Sequence, residues 1–146
     1  MKKIKLIFAI LTVTLLVTAC ESYDDFASSE KLIAGFTTKD KNINGIPAGG
    51  ERSTTIDLFM TDVFDVDKTF NIIAIPALNE PATAPENYEF DATVTFLANT
   101  RTASITVTGK DVSIEDPEGE YFALAVEGDA NVVSGGFASI RVRKQK

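Results

Sequence analysis

From residue 30 to the C-terminus, apolar side chains recur at every second position, and no stretch shows the three-to-four spacing of an amphipathic helix. Such alternation is what a strand with one buried face requires, because successive side chains project to opposite sides of the backbone. Residues 52–60 (RSTTIDLFM) set Thr54, Ile56, Leu58 and Met60 on one side and Thr55, Asp57 and Phe59 on the other. Residues 88–97 (YEFDATVTFL) align Tyr88, Phe90, Ala92, Val94 and Phe96, and residues 101–108 (RTASITVT) align Ala103, Ile105 and Val107. A short turn joins these two runs, which predicts a hairpin. Residues 137–143 (FASIRVR) set Ala138, Ile140 and Val142 against Phe137, Ser139 and Arg141. Residues 31–36 (KLIAGF) and 120–127 (EYFALAVE) add two more strands, and residues 68–75 (KTFNIIAI) read as a buried central one.

Turn chemistry separates these runs. Asn44-Gly45, Pro47 and Gly49-Gly50 punctuate residues 39–50, and residues 128–136 form another turn-rich connection. Residues 61–67 and 109–119 are acidic loops. Pro76, Pro81 and Pro85 make residues 76–87 an extended loop, since proline cannot donate to a sheet ladder. About seven short strands so spaced predict an all-β domain over residues 30–146, a single Ig-like antiparallel β-sandwich, with a six-stranded barrel as the alternative.

Residues 1–19 are of another kind. Lys2, Lys3 and Lys5 form a basic head, residues 6–18 are almost wholly apolar, and Val17-Thr18-Ala19 closes the run with small side chains before Cys20. A membrane-spanning helix needs roughly 20 apolar residues, so the run reads as a secretory signal. Followed by its cysteine, it resembles a bacterial lipoprotein signal peptide. That resemblance implies a thioether-linked diacylglycerol and an acylated amine, such as a palmitoyl amide, on Cys20. It places the protein in the bacterial cell envelope, held by its lipid at the outer membrane and exposed on the cell surface. An ordinary secretory signal is the alternative. Residues 20–29 then form an acidic tether.

Composition narrows the function. Cys20 is the single cysteine, so no internal disulfide forms, and histidine is absent. Zinc and iron–sulfur sites are excluded on these grounds, as are serine or cysteine nucleophiles with a histidine base. Only carboxylate-pair chemistry remains open to an enzyme, and nothing marks such a pair; the protein is not expected to be an enzyme. Three of the 14 basic residues precede Cys20 and all 21 acidic ones follow it, leaving 11 against 21, or −10. Nucleic acid is excluded as a partner, because binding it requires clustered Lys and Arg. Tryptophan is absent, which removes the commonest sugar-stacking platform. Residues 76–87, with Pro76, Pro81 and Pro85, are the candidate recognition loop, since loops on rigid sandwiches often carry binding.

Residues 87–127 resemble a Calx-beta domain. The matching features are the Asn87-Tyr88 step, the strands around residues 94–96 and 105–107, the acids Asp111, Glu115, Asp116 and Glu120, and the run 122–126. Residues 35–75 (GF…IPAGGERSTTIDLFM…KTFNIIAI) resemble the Ig-like N-terminal modules of Bacteroidota surface lipoproteins. The Calx-beta resemblance implies an Ig-like sandwich and, in some members, a Ca²⁺ site at one end. Asp111, Glu115, Asp116 and Glu118 are the candidate ligands, joined by Glu86 or Glu89 from the preceding loop. Where the family places further acids after its last strand, this chain has Arg141, Arg143, Lys144 and Lys146. No other cofactor is expected. Three functions follow as expectations: a non-enzymatic binding or structural module with a protein or glycan partner at the cell surface, a calcium-binding module, and a glycan-binding accessory of an outer-membrane uptake system.

Overall fold

The alternating stretches become strands that pack apolar side against apolar side. The computed structural model describes residues 31–146; the expected signal peptide, Cys20 and the expected tether lie outside the described residues. Ten strands follow in order: β1 (Leu32–Phe36), β2 (Asp40–Ile46), β3 (Glu51–Met60), β4 (Lys68–Ile75), β5 (Tyr88–Phe90), β6 (Thr93–Phe96), β7 (Thr102–Lys110), β8 (Glu120–Val126), β9 (Val132–Gly135) and β10 (Ala138–Lys144). A 3-10 turn at Pro85–Asn87 leads into β5. One sheet runs β5-β7-β3-β1-β9, the other β2-β10-β8-β4-β6, and the two enclose the core as a β-sandwich.

The core is the inward phase of the alternation. Ile56, Leu58 and Met60 of β3, Ile105 and Val107 of β7, and Ile140 and Val142 of β10 are all buried. Phe96 is completely buried and meets Phe70 edge to face at 5.7 Å between ring centres. Burying one such ring stabilises the fold by about 2–3 kcal/mol. Tyr88 stacks on Phe122 with ring centres 4.0 Å apart, tying β5 of one sheet to β8 of the other.

The strand count exceeds the expected seven for two reasons. Residues 88–97 do not form one arm of a hairpin. The run breaks at Asp91-Ala92, where β5 leaves its pairing with β7 and β6 joins β4 in the opposite sheet. Both halves keep the same inward phase because they face the same core from opposite walls, so the alternation hides the crossing. The other two additions, β2 and β9, arise in segments read as turn-rich. Each is held by a parallel ladder: Leu32↔Val132 through Gly35↔Gly135 for β1–β9, and Ser139↔Asp40 through Lys144↔Ile46 for β10–β2.

These two ladders belong to one feature. The chain passes from β1 to β2 and from β9 to β10 by crossing between sheets at the same place. Phe36 N–H donates to the Gly136 carbonyl (3.1 Å) and Ser139 N–H to the Lys39 carbonyl (2.8 Å). The first and last segments of the domain thus run side by side across both sheets and close one flank of the sandwich. Residues 68–75 also differ from expectation. In β4 only Ile72 is buried, while Ile73 and Ala74 are exposed. The strand lies next to the edge, pairing with β6 through its first half and β8 through its second. Its β-branched residues satisfy the pleat rather than a two-sided core.

Candidate functional site

The acidic loop and the proline-rich loop meet at one buried polar knot. Glu120 opens β8 on the same phase as Phe122, Leu124 and Val126, which turns its carboxylate inward; it is 7% exposed. One carboxylate oxygen accepts the N–H of Glu115 (2.7 Å) and of Asp116 (3.3 Å). The other accepts the Thr83 hydroxyl (2.7 Å) and the Asn87 amide (3.5 Å). Asn87, fully buried, also donates to Thr83 (3.0 Å), and its carbonyl oxygen accepts the N–H of Ser113 (2.8 Å) and Val112 (3.3 Å). A buried carboxylate survives only with such compensation. The knot welds residues 111–119 to the end of the proline-rich loop.

The candidate calcium ligands end in separate surroundings. Asp111 accepts the Gly49 N–H (3.2 Å) in the turn before β3. Asp116 accepts the Glu118 N–H (2.7 Å) within its own loop. Glu118 pairs with Lys146 at 3.1 Å, both side chains largely in solvent. Glu115 is exposed, Glu86 accepts the Ser113 hydroxyl (3.0 Å), and Glu89 pairs with Lys110. Its hydrogen bond to Glu89, reinforced by the Glu89 and Glu51 charges, holds the Lys110 ammonium above its ordinary pKa. Among the described residues, no group of three or more acidic side chains converges to hold a metal ion. The other acidic loop is remote: β3 and β7 are antiparallel, so residues 61–67 sit at the opposite end from residues 111–119. There Asp67 accepts the Ala98 N–H (2.7 Å).

The proline-rich loop is fixed rather than free-standing. Beyond β4 it turns along β8, where Tyr121 N–H donates to the Pro81 carbonyl (2.8 Å) and Thr83 N–H to the Tyr121 carbonyl (2.7 Å). Pro85 opens the 3-10 turn, and Pro76 follows directly on β4. In between, Asn79 donates its amide to the Ser139 hydroxyl (2.9 Å) on β10. The loop therefore crosses the outer face of the second sheet, and it does so over small residues: Ala123 and Ser139, paired in register, are buried there although they point away from the core.

Beside that crossing lies an open cleft of about 300 Å³. Strand register builds it. Asn42, Arg141 and Tyr121 form one cross-strand row over β2, β10 and β8, and Asp40 and Ser139 form the next. Asn79 of the loop closes one side. A second depression of about 350 Å³ shares Asp40, Asn79 and Ser139 and adds Lys39 and Leu78. The walls offer amides, a carboxylate, a guanidinium and one aromatic ring. Of the sequence-derived site residues, Pro76, Pro81 and Pro85 belong to the loop that flanks this cleft, while Asp111, Glu115, Asp116 and Glu118 do not line it. Tyr121, Arg141, Asn42 and Asn79 were not singled out as site residues by the sequence, because β2 and its parallel pairing were not foreseen. Glu120 did carry a signal: a carboxylate on the inward phase of a strand must find donors.

Comparison with known proteins gives the fold and stops there. No family model and no curated relative matches the chain. Among solved structures it is similar to a candidate carbohydrate-binding protein from Bacteroides ovatus, with a TM-score of 0.62 and 10% identity over 77% of this chain and 37% of that one. A two-domain protein of unknown function from Bacteroides fragilis matches with a TM-score of 0.59 and 13% identity, over 78% of this chain and 46% of that one. The apo form of the Calx CBD1 domain matches with a TM-score of 0.57 and 9% identity, over 80% of this chain and all of that one. The chain thus spans less than half the length of the two Bacteroides proteins. At these identities the likeness is one of β-sandwich fold.

Proposed function

We propose that this protein is a non-enzymatic glycan-binding module, held by a lipid on Cys20 at the outer membrane of a bacterial cell envelope. The cleft beside the proline-rich loop carries this reading. It is open and polar, framed by β2, β10 and β8, and lined by Asp40, Lys41, Asn42, Asn79, Arg141 and Tyr121. Planar amides and carboxylates match the paired hydroxyls of a sugar, and an aromatic ring offers an apolar face to a pyranose. The similarity in fold to a candidate carbohydrate-binding protein supports the same reading. The basic head, short apolar run and Cys20 of the leader support the anchor.

Two measurements test it. Titration of a panel of neutral and acidic oligosaccharides into the protein should give binding that Tyr121→Ala weakens at least tenfold; a panel without binders, or binding indifferent to Tyr121→Ala, overturns the glycan assignment. Cys20→Ser should move the protein from the membrane fraction to the soluble fraction of cells. If the variant still sediments with membranes, or if mass spectrometry finds no acyl chains on Cys20, the anchor is wrong.

A further inference from the structure

We infer that the cleft takes an acidic saccharide, a uronate-bearing glycan whose carboxylate is received by Arg141. The inference rests on the glycan reading above and names the class of sugar. Its first ground is a guanidinium without an ion-pair partner. Arg141 lines the cleft, and no carboxylate of the described residues pairs with it. The planar guanidinium fork fits a carboxylate with two parallel hydrogen bonds.

The second ground is where the positive charge sits. Residues 31–146 carry 17 acidic and 11 basic side chains, yet six of those 11 fall on β2, β10 and their ends: Lys39, Lys41, Arg141, Arg143, Lys144 and Lys146. Two of the six have partners: Lys146 pairs with Glu118, and Lys144 donates to the Ile114 carbonyl (2.8 Å). Among the described residues the ion pairs are Lys110–Glu89 and Lys146–Glu118, so neither Arg141 nor Arg143 is neutralised by a carboxylate. Asp40 stands in the same cleft without pairing to Arg141, which leaves it to accept sugar hydroxyls. An otherwise anionic protein with one cationic edge draws an anionic ligand to that edge. The stem of Arg141 lies against Gly119. Gly119, at φ +102°, lies so close that a Cβ there would come within 3.0 Å of Arg141 Cγ.

The test uses the full-length protein in detergent and three polyuronate oligomers, built on galacturonate, glucuronate and mannuronate, each beside its neutral methyl ester. Calorimetric titration should show at least one acid form binding at least tenfold more tightly than its ester. Arg141→Gln should abolish that preference, and Arg141→Lys should restore only part of it, since lysine keeps the charge without the fork. Raising the salt concentration should weaken the acid form more than the ester. Equal binding of acid and ester, or an acid preference untouched by Arg141→Gln, overturns the inference. If neutral sugars then bind in a Tyr121-dependent manner, the glycan reading stands without it; if no oligomer binds, both fall. Should Arg141→Gln fail to fold, the acid–ester comparison on the unaltered protein decides alone.

Discussion

At the scale of single residues, the polar knot concentrates the energetics of the site. Asn87 and Glu120 each satisfy two backbone N–H groups of residues 112–116, and both are buried. Removing either leaves donors without acceptors in a place water reaches poorly, which costs about 1–3 kcal/mol per group. Asn87→Ala is therefore expected to destabilise the domain by about 2 kcal/mol, and Glu120→Ala by about 3 kcal/mol because its acceptor is charged. Glu120→Gln keeps one carbonyl for Glu115 and Asp116 and should cost only about 1 kcal/mol. Since both side chains restrain the same loop, the double variant should fall short of the sum. Denaturant unfolding midpoints measure all four; strictly additive losses would show that the two residues act on separate structures. Part of this was legible in the sequence. Glu120 sits on the inward phase of its strand, so a buried carboxylate was implied. Its partners were not, because Thr83 and Asn87 come from a loop more than thirty residues earlier.

At the scale of elements, the domain is closed by the parallel run of its two ends. Gly35 and Gly135 face each other so closely that a Cβ on Gly35 would come within 1.5 Å of the Gly135 carbonyl oxygen. Gly35→Ala must then push β9 off β1 at a cost of about 3 kcal/mol. Hydrogen exchange should show amide protection lost in Leu32–Phe36 and Val132–Gly135 before it is lost in β7. Uniform loss across both sheets would mean that the flank is not a separate cooperative unit. Individual strands β3, β7, β8 and β10 were readable from alternation. β2 and β9 were not, since Asn44-Gly45 and Gly135-Gly136 give them the composition of turns. They are strands because a neighbour about a hundred residues away in sequence supplies the ladder. The break at Asp91-Ala92 was hidden for the opposite reason: alternation is the same in either sheet of a sandwich, so a strand can change sheets without changing phase.

For the whole molecule, the distribution of charge decides between ligands. The carboxylates of residues 111–118 each bond elsewhere or stand in solvent, and the described residues hold no convergent acidic group. Calcium needs six to eight oxygen ligands gathered together. The melting temperature is accordingly expected to agree within about 1 °C between EDTA and 1 mM Ca²⁺. A site with a dissociation constant of about 10 μM would instead add about 2.7 kcal/mol, a rise of roughly 5 °C or more for a domain of this size. Such a rise would show that residues 111–119 rearrange around an ion, and it would favour the alternative of a calcium-binding module over the glycan reading.

The chain on its own determined its alternation and its breakers, and hence an all-β sandwich with a legible inward face; both properties are local, fixed by the two-residue period of a strand and by glycine and proline chemistry. It also narrowed the chemistries open to these residues, since with no histidine and one cysteine they supply neither a histidine base nor a multi-cysteine metal site. Tertiary structure alone decided which strands neighbour which, and so where the cleft lies. A row such as Asn42, Arg141 and Tyr121 exists only through cross-strand register, and register between distant segments is set by packing and backbone pairing, which no stretch of sequence carries by itself.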